Sequence, residues 1–294
     1  MTECSTGHAG GSDLFADTVQ RAIGYGAMRL TGDRVWGPPP DPAEALRLLR
    51  LAYDSGVRVI DTAWYYGPGI TNPLIAKALY PYADDLLLVT KAGNSRGNDR
   101  SWVPALTPAD LRAACERDLR ELRISELPLV LLRWHPEPGD QQRFLEALGA
   151  MLELREEGKL RRLGVSNVTF VQLELARAHA PIAAVSNALS LNNRRDLPTL
   201  RRCGELGLVY FAYYPLLTGS VLRRPALQQT SRRLHITPAQ LAIAWLCAQS
   251  PWLVPIPGTA SIPHLKENVE AQQIRVPEHV LADLEARVPD DLVS

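Results

Sequence analysis

The chain has 294 residues, and its 32 basic residues balance its 32 acidic residues, so the formal net charge is zero. A balanced charge gives no electrostatic reason to expect nucleic acid or an anionic membrane as the main partner. The cysteines are few and widely spaced, which argues against a disulfide framework and against a zinc site. No apolar run reaches membrane-spanning length and no signal-peptide pattern is present, so we expect a cytoplasmic protein without a metal ion.

Short apolar runs alternate with longer amphipathic segments along the chain. Residues 1–12 are small, polar and rich in glycine and predict a flexible tail, whereas residues 13–294 show no composition break and predict one domain. The apolar runs predict eight strands: Ile23–Leu30, Val57–Asp61, Leu86–Lys91, Leu129–Trp134, Leu163–Val165, Ala184–Asn187, Leu208–Tyr213 and Leu253–Ile256. Helices are predicted between them, as over Ala43–Ser55, from Thr107, over Asp140–Gly158 and from Thr237 to Gln249.

Alternating strands and helices imply a parallel sheet. Eight such units can close into a single-domain (β/α)8 barrel, the TIM barrel of the α/β class, with the connections over residues 92–106 and 214–236 as loops near the site. An open doubly wound sheet is disfavoured because its dinucleotide motif needs a third glycine. The segment from Gly24 to Arg29 lacks that glycine and lies inside the first predicted strand. A nicotinamide cofactor, if the protein binds one, must therefore be held in another way.

Polar side chains end three of the predicted strands, where barrel enzymes carry their catalytic groups. Asp61 and Tyr66 follow the second strand, Lys91 ends the third, and Arg133 and His135 end the fourth. A phenol has a pKa of about 10, so it is a poor acid or base at neutral pH unless its surroundings change. An ammonium such as Lys91 lowers a neighbouring phenol's pKa, and a carboxylate such as Asp61 holds that ammonium in place. We therefore expect Tyr66 to exchange a proton with a carbonyl or alcohol oxygen.

The motifs at these strand ends resemble those of the aldo-keto reductase superfamily, from about Ile23 to Val288. They are G-Y-G-A-M-R-L, D-T-A-W-Y-Y-G, T-K-A-G, G-V-S-N, Y-Y-P-L-L-T-G and P-I-P-G-T-A-S-I-P-H-L-K-E-N, in chain order. The resemblance implies an (α/β)8 barrel that reduces aldehydes or ketones, or oxidises alcohols, with a nicotinamide cofactor. It implies that Tyr66 is the proton donor and that Asp61 and Lys91 adjust its pKa.

The resemblance also assigns residues to the cofactor, with NADP(H) favoured over NAD(H). Ser166 and Asn167 would hold the nicotinamide carboxamide, with Ser186 beside them, and Tyr213 would stack on the ring. The residues assigned to the ribose, pyrophosphate and adenosine are Gly26, Met28, Leu216, Gly219, Gly258, Thr259, Ser261, His264, Glu267 and Asn268. Backbone N–H groups at a helix N-terminus would contribute to the adenosine end.

Two positions depart from the family pattern. The family usually has a catalytic histidine on the fourth strand, where the register L-L-R-W-H-P places Arg133. His135, two residues later, could share that side of the strand, but we favour Arg133. Arg133 could polarise the substrate carbonyl or bind an anionic substrate group, and its charge would lower the pKa of Tyr66 further, favouring Tyr66 as a base. Ser186 stands where related sequences often carry glutamine.

Four aromatic residues are predicted to line a pocket for a small, apolar or ring-containing carbonyl or alcohol. They are Trp36, Trp64, Tyr65 and Trp102, and ordinary packing beneath the loops stays open as an alternative for each. Three other functions stay open as well. They are a cofactor-binding regulatory or subunit-like barrel with little turnover, a lyase or isomerase without net hydride transfer, and a non-enzymatic interaction module. The sequence leaves the oligomeric state open.

Overall fold

The computed structural model describes Phe15, residues 22–135 and residues 140–290, so the predicted tail over residues 1–12 lies outside the described residues. Its main sheet contains eight parallel strands in the order β1-β2-β3-β6-β7-β8-β9-β10. Those strands are β1 Gly24–Gly26, β2 Val59–Asp61, β3 Leu87–Ala92, β6 Leu127–Arg133, β7 Leu160–Ser166, β8 Ile182–Ala188, β9 Val209–Tyr213 and β10 Leu253–Pro255. Strands β4 Asn94–Arg96 and β5 Trp102–Pro104 form a separate antiparallel pair.

The two ends of the main sheet approach each other and nearly close the barrel. The backbone N–H of Gly26 donates to the carbonyl of Pro257 at 3.2 Å, joining β1 to the segment after β10. A Cβ atom at Gly26 would lie 2.7 Å from the carbonyl oxygen of Ile256, so this approach requires glycine. The predicted (β/α)8 barrel is confirmed.

Helices surround the barrel between successive strands. They are α1 Pro42–Asp54, α2 Thr71–Leu79, α3 Pro108–Leu122, α4 Gln141–Glu156, α5 Phe170–His179, α6 Leu197–Leu206, α7 Pro225–Arg233, α8 Pro238–Gln249, α9 Ile262–Glu270 and α10 Glu278–Arg287. The predicted Thr-Pro starts of α3 and α8 are confirmed: Thr107 and Thr237 each cap the helix through a reciprocal capping box, with proline in the first turn. No helix within the described ranges is both long and apolar enough to cross a bilayer.

Three local predictions are wrong. The first strand ends at Gly26 rather than Leu30, because residues Ala27–Arg29 turn into a 3-10 helix. Residues 92–106 are not a simple loop, since they contain the β4–β5 hairpin. The segment 214–236 contains helix α7, which begins at Pro225 and buries Leu227 on one face of an otherwise polar sequence.

Candidate active site

The two-residue periodicity of the strands places the polar residues at the barrel mouth. Interior apolar residues such as Val59, Val89 and Leu131 form one buried cluster inside the barrel. Side chains two positions apart share a face of a strand, so the residue two positions after each of these points into the same interior, one layer higher. Those residues are Asp61, Lys91 and Arg133. The same two-residue spacing places side chains of β7, β8 and β9 in this layer, namely Ser166, Ser186 and Tyr213.

A buried ion pair forms the floor of the site. The Nζ atom of Lys91 lies 2.6 Å from Oδ1 of Asp61 and also donates to the carbonyl of Thr62 at 3.2 Å. Burial raises the pKa of Asp61, and the positive charges of Lys91 and Arg133 oppose that rise. Oδ2 of Asp61 has no hydrogen-bond partner among the described residues. The pair is held almost out of water, so each charge depends on the other.

Tyr66 covers this ion pair. Lys91 Nζ lies 5.2 Å from the centroid of the Tyr66 ring, and the Tyr66 side chain is only 8% exposed. Burial raises the pKa of Tyr66 well above its ordinary value of 10.0, and the Asp61 carboxylate raises it further while Arg133 opposes the rise. The prediction of a lowered pKa is therefore wrong, because desolvation outweighs the nearby cations. Tyr66 is a protonated phenol at neutral pH, which suits it as an acid rather than a base.

The structure separates the two candidates at the end of β6. The guanidinium carbon of Arg133 lies 5.3 Å from the centroid of the Tyr213 ring, and Nη1 lies 3.4 Å from Oγ of Ser166. His135 lies beyond the end of the strand, where its Nε2 hydrogen-bonds with Oδ1 of Asn94 in the hairpin. Arg133 thus faces the groups at the mouth, while His135 supports the hairpin.

Four residues assigned to the nicotinamide lie together on β7, β8 and β9. Asn167, with a left-handed φ of 62°, donates to the carbonyl of Trp134 at 2.9 Å and accepts from the Tyr213 hydroxyl at 3.1 Å. The Oγ atom of Ser186 is fully buried without a hydrogen-bond partner in the described part of the chain. Together with Ser166, these groups present an aromatic face and a buried hydroxyl at the mouth.

The residues assigned to the rest of the cofactor lie along the neighbouring edge. Gly258 lies against β1, because a Cβ atom there would be 2.7 Å from the Gly26 carbonyl oxygen. The Ser261 side chain caps α9, and Thr259 accepts from the Ser261 N–H at 3.0 Å. The positions of the others are as follows: Met28 in the 3-10 helix after β1, Leu216 and Gly219 in the turn after β9, and His264, Glu267 and Asn268 in α9.

Two of the four predicted pocket aromatics pack against the same arginine side chain. Trp36 and Trp102 both contact the Arg96 guanidinium, whose carbon lies 5.4 Å and 4.1 Å from their ring centroids. Arg96 also donates to the carbonyls of Arg34 and Val35, so it ties the loop after β1 to the hairpin. Sequence reasoning missed Arg96, since nothing near it in the chain indicates a partner in another loop.

The other two aromatics have different positions. Tyr65 is 1% exposed and packs edge-to-face against Trp64, Tyr66 and Trp102. The burial of its ring against Trp102 favours the packing alternative for Tyr65. The Trp64 ring packs against the Arg117 guanidinium of α3, at 4.5 Å from its centroid to the guanidinium carbon.

A buried polar network behind the ion pair was also missed. Asp118 of α3 is fully buried and accepts from Asn72 at 2.6 Å and from Thr90 at 2.7 Å. Asn72 accepts in turn from the hydroxyl of Thr62, whose carbonyl binds Lys91. A signal was present, because Asp118 interrupts the buried apolar stripe of α3, where its spacing predicts a core residue.

Asp118 gives the protein a specific dependence of stability on pH. Burial raises its pKa from the ordinary 3.8 to about 7, against the opposing hydrogen bonds from Thr90 and Asn72. A raised carboxyl pKa means that the folded state binds the proton more tightly than the unfolded state does. The stabilisation that results is fully present below the pKa that the carboxyl group has in the unfolded chain. That effect is lost as the pH rises through the folded value. Relative to wild type, we expect Asp118→Asn to gain up to about 4 kcal/mol of unfolding free energy between about pH 4 and pH 7.

Denaturant unfolding of both proteins across this pH range measures the difference. The exposed Asp84→Asn, which also replaces one carboxylate by an amide, is the matched control. An Asp118→Asn difference that does not change with pH would show that Asp118 does not titrate as proposed.

Comparison with known proteins agrees with this architecture. A sequence model described as the Aldo/keto reductase family matches residues 22–288. The pyridoxine 4-dehydrogenase of Escherichia coli strain K12 is 40% identical over 266 residues, which cover 90% of this chain and 93% of that protein.

Two solved structures show the same fold. A thermostable aldo-keto reductase in complex with the inhibitor epalrestat is 29% identical with a TM-score of 0.78, covering 90% of this chain and 94% of the other. An aldo-keto reductase from Klebsiella pneumoniae in complex with NADP and acetate is 27% identical with a TM-score of 0.75, covering 92% of each chain.

A parallel (β/α)8 barrel with a Tyr, Lys and Asp cluster at its mouth defines a class of barrel oxidoreductases. The match over residues 22–288, together with the 40% identical relative, identifies the family. The chain belongs to the aldo/keto reductase family.

Proposed function

We propose that the chain is an NADP(H)-dependent carbonyl reductase in which Tyr66 gives a proton to the carbonyl oxygen. The observation that carries this proposal is the Asp61–Lys91 ion pair with the Tyr66 ring directly over it. A purely structural ion pair needs no buried phenol against it at the mouth of a barrel, whereas a phenol in this position can give a proton to a bound carbonyl. We further propose that residues 13–294 form one catalytic domain.

The residues at the mouth fit a nicotinamide group. Its carboxamide needs hydrogen-bond partners, and the buried Ser186 Oγ has none among the described residues, while Ser166 lies beside it in register. Its ring needs a flat surface, which the partly exposed Tyr213 side chain offers. When bound, a reduced nicotinamide supplies a hydride to the carbonyl carbon.

The chain's own residues would handle the proton and the developing charge. Tyr66 is protonated because burial raises its pKa, so it can donate its hydrogen to the oxygen as negative charge develops there. Lys91, fixed by Asp61, stabilises the phenolate that results. Arg133 adds a permanent cation that stabilises the oxygen's charge. Trp36 and Trp102 would provide flat walls for a ring-bearing substrate.

Relatives support the choice of cofactor and substrate. The Klebsiella pneumoniae enzyme binds NADP, and in this chain the exposed His264 and Lys266 on α9 could meet an additional phosphate. The Escherichia coli relative acts on pyridoxine, so we propose aromatic aldehydes and alcohols as the substrate class, with pyridoxine and its aldehyde tested first. The free thiols of Cys115, Cys203 and Cys247 support a cytoplasmic location.

A coupled absorbance assay tests this function. The purified protein is mixed with NADPH or NADH and a panel of aromatic, aliphatic and sugar aldehydes and ketones. We expect oxidation of NADPH that depends on an aromatic aldehyde, with NADH less effective. Tight NADPH binding without turnover of any carbonyl would instead support a regulatory or subunit-like barrel.

A further inference from the structure

Arg133 lies beside the residues that are proposed to bind the nicotinamide. Its guanidinium contacts the Tyr213 ring, at 5.3 Å from centroid to guanidinium carbon, and its Nη1 lies 3.4 Å from Ser166 Oγ. Both contacts are groups that the proposed function assigns to the nicotinamide. A bound nicotinamide ring would therefore lie next to this guanidinium.

The charge of Arg133 is not neutralised locally. It forms no ion pair with any carboxylate in residues 22–135 or 140–290, whereas the positive charge of Lys91 is matched by Asp61. Tyr66 is a neutral phenol, since burial raises its pKa. Asp118, which acts on Lys91 from behind, has a pKa raised to about 7 and is only partly ionised at neutral pH. The mouth therefore carries one net positive charge, and that charge belongs to Arg133.

We propose that Arg133 makes the site discriminate between the redox states of the cofactor, holding the neutral dihydronicotinamide more tightly than the cationic oxidised ring. This inference rests on the proposed function, because it requires a nicotinamide beside Tyr213. The enzyme would then take up reduced cofactor preferentially and release oxidised cofactor readily, which favours turnover in the reducing direction without changing the overall equilibrium.

The size of the effect follows from Coulomb repulsion. Two like charges about 5 Å apart, at an effective dielectric constant of about 20, repel enough to change a dissociation constant by about 100-fold or more. A histidine at this position could lose its proton and remove the repulsion, whereas arginine stays charged at every working pH. Arginine in place of the family's usual histidine would therefore change the ratio of the dissociation constants for oxidised and reduced cofactor.

Dissociation constants for NADPH and NADP⁺, measured by quenching of tryptophan fluorescence, test the inference without turnover. We expect wild type to bind NADPH at least about tenfold more tightly than NADP⁺. Arg133→Gln should bring this ratio to within about threefold of one, chiefly by tightening NADP⁺ binding. Arg133→Lys keeps the charge and should keep most of the ratio, so it is the matched control. A gain of affinity for one nucleotide cannot arise from general damage to the fold.

The possible outcomes distinguish the inference about Arg133 from the proposed carbonyl reductase function. Equal affinities in wild type, or an unchanged ratio in Arg133→Gln, would overturn the inference while leaving carbonyl reduction intact. Failure of wild type to bind either nucleotide would overturn both.

Discussion

We expect replacement of Tyr66 by phenylalanine to lower kcat for the proposed aldehyde reduction by about 10²–10⁴-fold, the usual contribution of one positioned proton donor. The substitution removes only the hydroxyl, so the edge-to-face contact with Tyr65, at 5.3 Å between ring centroids, is kept. The dissociation constant for NADPH should change little, because the loss concerns the reacting oxygen. Steady-state kinetics and fluorescence titration on the same preparations give both quantities.

Tyr65→Phe is the matched control for this substitution. Tyr65 is also buried and is adjacent in sequence, and its hydroxyl has no hydrogen-bond partner within the described residues. Removing that hydroxyl should leave kcat within about threefold of wild type, since no interaction is lost. A Tyr66→Phe protein as active as Tyr65→Phe would show that another group supplies the proton.

We expect replacement of Lys91 by methionine to lower both activity and stability. The substitution leaves Asp61, which is 3% exposed, as a buried carboxylate without its partner. Breaking a buried pair in this way costs about 3–5 kcal/mol, so the midpoint of denaturant unfolding should fall clearly. Activity should fall as well, because the phenolate of Tyr66 loses its stabilising cation.

The double variant Asp61→Asn with Lys91→Met distinguishes the two effects. Removing both charges removes the unpaired carboxylate, so most of the lost unfolding free energy should return. Activity should not return, since the cation remains absent. A Lys91→Met protein as stable as wild type would contradict the view that this pair is desolvated and mutually dependent.

The barrel could be predicted from sequence because its pattern is local. Apolar runs such as Val57–Asp61 alternate with segments that have their own start signals, as at Thr107 and Thr237. The hairpin β4–β5 was missed because its three-residue strands are mostly exposed or half-buried and carry little periodicity. Helix α7 was missed because its sequence is mostly polar, and the buried face around Leu227 depends on contacts with other elements.

Some features of the candidate site could likewise be predicted from the sequence, and others could not. Asp61, Lys91 and Arg133 could be placed because strand periodicity fixes which side chains enter the mouth. The shift in the pKa of Tyr66 could not be predicted, because its direction depends on the amount of burial as well as on neighbouring charges. The contact of Arg133 with Tyr213 depends on the path of a long flexible side chain across the barrel, which no sequence pattern specifies.

Transfer of deuterium from labelled NADPH tests the central claim most directly. The protein is incubated with an aromatic aldehyde and NADPH that carries deuterium on the hydride-donating carbon of its nicotinamide, and the alcohol is examined by mass spectrometry. The account predicts an alcohol with one deuterium on the former carbonyl carbon, formed far more slowly by Tyr66→Phe. An alcohol without deuterium, or no alcohol from any carbonyl supplied, would contradict it.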